Sequence, residues 1–141
     1  MLMLITITIF LIVIILVTYN VFKIKMVIRN FNEFINDSTV RVITGSRTEV
    51  SKIIGRDISN NTYGQYNATK RAMFVITTTS YKKVAHVLLH EYRHHMQNMY
   101  MSNSEFDKDV ELLIKGIISW NEASHEIDAE KYAYSNVSRI L

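Results

Sequence analysis

The chain has 141 residues, 48% of them apolar, with 16 basic and 13 acidic side chains, a formal charge of +3, and neither cysteine nor proline. The lack of cysteine excludes disulfides and thiolate-ligated zinc. Lys23, Lys25 and Arg29 follow an uncharged amino terminus, and beyond Arg29 the 13 remaining basic residues balance 13 acidic ones, so the excess charge is local and does not point to nucleic acid.

Residues 1–22, MLMLITITIFLIVIILVTYNVF, are uncharged, with Thr6, Thr8, Thr18, Tyr19 and Asn20 as the polar breaks. As a helix rising 1.5 Å per residue, this stretch spans the ~30 Å hydrocarbon core of a bilayer. It lacks the basic start, short apolar region and small-residue cleavage site of a signal peptide. It is also apolar all round, which suits lipid better than the core of so short a chain. The expectation is an uncleaved single-pass membrane anchor. Basic residues follow it and none precedes it, so the positive-inside rule places the carboxy-terminal domain in the cytoplasm.

The helix is expected to continue as a juxtamembrane segment, 23–36, through about Ile35, with Asn36-Asp37-Ser38 breaking it. The remaining residues, 37–141, suffice for one domain with one core. Thr39 to Thr44 alternates as a strand, Arg47 to Ile54 reads as a short helix ending at Gly55, Tyr63 to Tyr66 offers a further strand, and Arg71 to Thr78 is rich in strand formers. These make a small sheet, and no repeat or phosphate-binding loop is present.

From Ser80 to Met101 there is no glycine, and Thr77, Thr78, Thr79 and Ser80 supply possible N-caps. On this helix Tyr81, Val84, Ala85, Leu88, Leu89, Tyr92, Met96 and Met99 form one apolar face, roughly opposite His90, His94 and Gln97. Residues 90 to 94 read His90-Glu91-Tyr92-Arg93-His94, an HExxH sequence whose two histidines share the opposite face. Histidines four apart stand one above the other, so both imidazoles reach one tetrahedral metal. Glu91 lies about 100° round, beside the metal, where its carboxylate can take a proton from a water that zinc has acidified to a pKa of roughly 7. His86, one turn earlier, lines the same cleft, and His95 falls toward the buried face.

Val110, Leu112, Leu113, Ile114, Ile117, Ile118 and Trp120 between 101 and 124 read as a third core helix. After them comes His125-Glu126-Ile127-Asp128-Ala129-Glu130, whose helical form puts Glu126, Glu130, Ala133 and Val137 on one face. Small residues there permit close approach to the histidine helix. Glu126 then points at the metal, and Glu130 is placed to accept a hydrogen bond from the far nitrogen of a liganding histidine. His125 competes as a ligand or as an oxyanion stabiliser, though a histidine at a helix start more often faces solvent. Asp128 points away from Glu126, as a solvated charge or a salt-bridge partner. Gln97 holds a loop or substrate by hydrogen bonds, unless it is a surface residue.

HExxH followed by ExxAxxxA resembles the gluzincin class of zinc metallopeptidases, including small phage and bacterial members and membrane-associated peptidases with a Glu-x-x-Ala-Asp segment. The likeness covers about residues 62 to 134. It implies an α+β fold, in which a transmembrane helix precedes a minimal zincin domain of small sheet, active-site helix and ligand-bearing carboxy-terminal helix. It also implies His90, His94 and Glu126 as zinc ligands, Glu91 as general base, and a peptide or protein substrate held in extended form on an edge strand, for which Met73 to Thr77 is the candidate. Glu130 stands where the class usually has aspartate. Metzincins need glycine at 97 and histidine at 100, whereas this chain has Gln97 and Tyr100. Tyr66, Tyr100, His125, Tyr132 and Tyr134 are the candidates for polarising a substrate carbonyl. Two other functions fit the same sequence: a catalytically silent zinc-binding adaptor, and a small membrane structural or interaction protein that binds no stoichiometric zinc.

Overall fold

The computed structural model describes residues 2–100, 108, 111–119 and 122–141. It is a mixed α/β structure in which a long amino-terminal helix leads into a three-stranded sheet flanked by helices. Helix α1 (Leu2–Ile35) is uninterrupted. By length and composition it is the one helix among the described residues able to cross a membrane. Its two halves differ in surroundings: from Met3 to Thr18 the side chains are exposed, whereas Ile24, Val27 and Phe31 are buried against the rest of the chain. Their spacing of three and four puts them on one helical face. Asn36, at φ 41°, takes the left-handed conformation that ends helices, and its N–H still bonds Asn32 O at 3.0 Å.

Strand β1 (Arg41–Gly45) leads into α2 (Arg47–Ile54), and β2 (Gly64–Asn67) and β3 (Ala72–Ile76) follow. Ser46 and Glu49 cap α2 reciprocally, and Gly55 at φ 83° closes it. The Arg47 guanidinium donates to the carbonyls of Ser59, Asn60 and Thr62, fixing the loop that precedes β2. The strand order is β1-β3-β2, with β1 parallel and β2 antiparallel to β3. Strand β3 is therefore central, and its backbone is paired on both sides. This corrects the expected placing of Met73 to Thr77 at the edge. All five β3 residues are buried because both faces of the sheet are covered. Met73 and Val75 face α1 and the histidine helix, while Ala72, Phe74 and Ile76 face Val50 of α2.

Helix α3 (Tyr81–Tyr100) lies across the sheet and beside α1. Ser80 Oγ accepts from Lys83 N–H, and Asn20 of α1 adds a second cap by accepting from Tyr81 N–H at 3.0 Å. Val84, Ala85, Leu88 and Leu89 are fully buried, the face that the periodicity predicts. Helix α4 (Ser124–Asn136) packs on α3 through Ala129 and Ala133, both fully buried, and ends in a 3-10 turn at Val137–Arg139. Among the described residues between α3 and α4, Ile114 and Ile117 do not take the core positions expected of them: they are 81% and 64% exposed, and the described helical residues 111–114 give way to a turn in which Gly116 has φ 66°. Val110 and Trp120 lie outside the described residues.

A polar cluster around the buried His95 ties the end of α1 to the back of α3. Thr39 gives its hydroxyl proton to Asp37 Oδ1 at 2.6 Å, so its oxygen accepts from His95 Nε2 at 3.0 Å, and His95 Nδ1 accepts from Tyr66 O–H at 3.1 Å. Tyr92 O–H donates to Asp37 Oδ2 at 3.2 Å. Burial holds the His95 imidazole below its ordinary pKa against the opposing pull of Asp37, and His95 has no exposed surface.

Because Phe31 is wholly buried and meets Tyr92 edge-on at 5.9 Å, the second half of α1 is part of the domain core. Phe31→Ala is expected to destabilise the domain by about 3–5 kcal/mol, the usual range for emptying a buried aromatic site. Denaturant unfolding of the detergent-solubilised chain measures this. Val17→Ala, on the exposed half, should leave the midpoint unchanged.

Candidate metal centre

Helices α3 and α4 bring His90, His94 and Glu126 together, as the sequence predicted. His90 Nε2 lies 3.0 Å from His94 Nε2 and 3.2 Å from Glu126 Oε2, and His94 Nε2 lies 3.5 Å from Glu126 Oε1. A tetrahedral zinc with bonds of roughly 2.0–2.1 Å spaces its ligand atoms about 3.3 Å apart, so these separations match a shared ion.

Hydrogen bonding behind the imidazoles decides which nitrogens are free. Gln97 is buried, and its Nε2 donates to His125 O and to Asp128 Oδ2, both at 2.8 Å. Its oxygen must then face His94, so Nδ1–H of His94 donates to Gln97 Oε1 at 2.8 Å. Glu130 Oε2 lies 3.2 Å from His90 Nδ1 and accepts its proton. Both Nε2 atoms are left with lone pairs turned toward each other and toward a carboxylate. Three such atoms attract a cation, which is a proton on one or other imidazole when no metal is bound, and a divalent metal fits the donor set. The electrostatics without metal express the same demand. Burial disfavours a charge on Glu126, but hydrogen bonds from His90 and His94 prevail and hold its carboxyl far below the usual range. At His94 burial acts to lower the pKa, yet the Glu126 hydrogen bond and the Glu91 charge raise it.

Glu91 is buried beside these donors, and desolvation raises its pKa despite the opposing pull of His94 and His90. A backbone hydrogen bond from Tyr66 on β2 holds it. The cleft of about 730 Å³ that contains His90, Glu91, His94 and Glu126 is bounded on its other side by β2 and the loop before it. Strand β2, and not β3, is thus the sheet edge that borders the site.

Several neighbours differ from their sequence readings. His125 is buried, not solvent-facing, with Nε2 3.5 Å from Glu126 Oε1. Asp128 takes its salt-bridge alternative, pairing with Arg93 Nε at 2.6 Å, and that pair with Gln97 anchors α4 to α3. Glu130 has a second partner that the sequence did not reveal, His86 Nε2 at 3.0 Å. Its carboxyl is held below the usual range by His86 and His90 against the effect of burial. His86, His90 and Glu130 also form a metal-capable group, but one that shares His90 with the first set. The helical spacing of His86 and His90 is the signal for that pairing. Of the five candidates for polarising a carbonyl, Tyr66 and His125 line the cleft, whereas Tyr100, Tyr132 and Tyr134 do not.

Comparison with known families finds a match over residues 21–140 to a family described as "Protein of unknown function (DUF3920)". The chain belongs to this family. The matched region contains the packed half of α1, the sheet and the two helices that carry His90, His94 and Glu126. No curated protein and no solved structure matches the chain.

Gly64 sets the contact between β2 and the site. A Cβ there would lie 2.4 Å from Val87 Cγ1 and 2.7 Å from Glu91 Oε1. Gly64→Ala should therefore push β2 and Glu91 apart while sparing the ligands. The expected result is unchanged metal content by elemental analysis together with at least a roughly tenfold fall in any hydrolytic turnover, the scale of loss that follows misplacement near a reacting centre.

Proposed function

We propose that the protein is a membrane-anchored zinc metallopeptidase of gluzincin type, with its soluble domain in the cytoplasm. The observation that carries the proposal is the convergence of the His90 and His94 Nε2 atoms with the Glu126 carboxylate, beside the buried Glu91 carboxyl. A non-catalytic zinc site gains nothing from such a glutamate, which favours hydrolysis over a silent adaptor. His90, His94 and Glu126 would hold the zinc, which supplies Lewis-acid polarisation of a carbonyl and acidification of water.

The chain's own groups supply the remaining steps. Gln97 and Glu130 keep the two imidazoles in the tautomer that presents Nε2. Glu91 takes the proton of the attacking water and later passes it to the leaving amine, a role suited to a carboxylate whose affinity for a proton is raised by burial. Strand β2, paired with β3 on one side alone, leaves its other edge for an extended polypeptide to join by main-chain hydrogen bonds. Tyr66 and His125 line the cleft and are the candidates for donating to a developing oxyanion, Tyr66 by turning its O–H away from His95. Membrane tethering directs this activity to unfolded or membrane-proximal polypeptides.

Purified without added metal, the protein is expected to contain one zinc per chain. His90→Ala, His94→Ala and Glu126→Ala should lose it, while Glu91→Gln should keep it and abolish cleavage of a diverse peptide library. Asp128→Ala and His125→Ala should weaken zinc binding far less than Glu126→Ala. Protons compete for the same nitrogens, so zinc affinity should be constant at high pH and fall as pH drops through the His94 pKa, raised above the ordinary 6.5. A zinc-loaded parent that cleaves nothing, or a Glu91→Gln variant as fast as the parent, would leave the adaptor reading.

The topology has its own test. A carboxy-terminal reporter should be active in the cytoplasm, and the chain should stay with the membrane through a carbonate wash. Digestion of the intact domain by protease added outside would reverse the orientation.

A further inference from the structure

Where α1 stops being exposed on all sides, it meets the first turn of α3. Asn20 Nδ2 donates to Thr79 O at 2.9 Å and its Oδ1 accepts from Tyr81 N–H at 3.0 Å, while the Tyr19 and Tyr81 rings meet edge-on at 6.4 Å. Further along, Phe31 meets Tyr92, so the two helices run side by side in the same direction. The start of α3 therefore lies level with the end of the apolar stretch, at the surface of a bilayer that α1 spans. Nothing between residues 20 and 24 interrupts the helix, so the domain is tied to α1 by packing and moves between docked and undocked positions only as α1 rocks in the bilayer.

The side chains at this level are basic. Lys82 and Lys83 on α3 and Lys25 on α1 are exposed, and Lys23 Nζ lies 5.6 Å from the Tyr19 ring centre at the rim. No acidic residue occurs in 1–32 or in 58–90, the two segments that meet there. A solvent-facing surface usually mixes both signs, whereas a surface against anionic phosphates does not. Tyrosine and lysine at the end of an apolar helix are also the side chains that settle at the headgroup layer.

We propose that this end of the domain, rimmed by Lys23, Lys82 and Lys83, is a docking surface for anionic lipid headgroups, a proposal that rests on reading α1 as a bilayer anchor but not on peptidase activity. Docking holds the metal cleft at a set height. His90 is nine residues along α3 from Tyr81, which at 1.5 Å per residue is about 14 Å from the headgroup level. Each lysine at an anionic surface shifts the balance between docked and undocked forms roughly fivefold, so reversing both α3 lysines should shift it at least twenty-five-fold or so.

The absence of native cysteine makes single labels clean. The full chain carrying Thr78→Cys, at the proposed surface, or Thr69→Cys, in the exposed turn at the far end of β3, is labelled with a fluorophore. It is then reconstituted into vesicles of phosphatidylcholine alone or mixed with phosphatidylglycerol, with a quencher on the lipid headgroups. Quenching at 78 should exceed that at 69 in the anionic vesicles, and Lys82→Glu with Lys83→Glu should remove most of the difference while the chain still resists carbonate. Hydrogen exchange over 77–84 in the unsubstituted chain gives a second readout, with slower exchange expected in anionic than in neutral vesicles. Equal quenching at the two positions, or exchange indifferent to lipid charge, would overturn the docking surface and leave the anchor standing. Release by carbonate would overturn the anchor and the docking surface together.

Discussion

The site depends on how one amide is oriented. Gln97 has two N–H groups and one carbonyl to place in a buried position, and α4 presents two acceptors, the His125 carbonyl and the Asp128 carboxylate. Once these take the N–H groups, the amide oxygen has to face His94, and the imidazole has to turn its unprotonated nitrogen outward. The same contacts clamp α4 against α3, with Arg93 gripping Asp128 from the other side. Glu126 and Glu130 ride on α4 and are carried into register by that clamp. The geometry of the candidate metal site is thus set by hydrogen bonds one layer behind it. Removing Gln97 would loosen both the tautomer and the helix pair, where an unmet buried polar group is costly.

Much of this arrangement was legible in the chain. The HExxH spacing, the apolar face opposite it, the capped helix after Ser46 and the break at Asn36 each rest on local rules, and local rules survive folding. The partners of Gln97 were not legible, because they lie 28 and 31 residues away and depend on how α4 docks. The His125 reading failed for the same reason: a histidine at a helix start is exposed unless another helix covers it, and α3 does. Met73 to Thr77, the candidate for the edge strand, lies instead at the centre of the sheet, because strand order depends on neighbours that local patterns do not name. Yet the run Ala72-Met73-Phe74-Val75-Ile76 has no polar alternation, the pattern of a strand covered on both faces.

The amino-terminal helix obeys two solvents in succession. Its first half is apolar on every side, as hydrocarbon requires, and its second half buries one stripe, as a protein core requires. The DUF3920 match begins at residue 21, close to where one regime gives way to the other. Core residues of the domain are thus drawn from the same helix as the apolar stretch, so the domain's integrity and its attachment are inseparable. The exposed turn around Gly116 contrasts with this: its isoleucines face outward and add nothing to either core.

On the proposed reading of α1 as an anchor, one unbroken helix would be shared by bilayer and domain and would act as a lever. A transmembrane helix longer than the local hydrocarbon thickness relieves the mismatch by tilting, commonly by about 20°. With no glycine or proline in α1 and with Asn20 tied to α3, tilt is passed to the domain and not absorbed at a hinge. A cleft about 14 Å above the pivot then swings sideways by roughly 5 Å, more than the rise of one residue in an extended chain. Bilayer thickness would thereby select which residue of a passing polypeptide lies at the cleft.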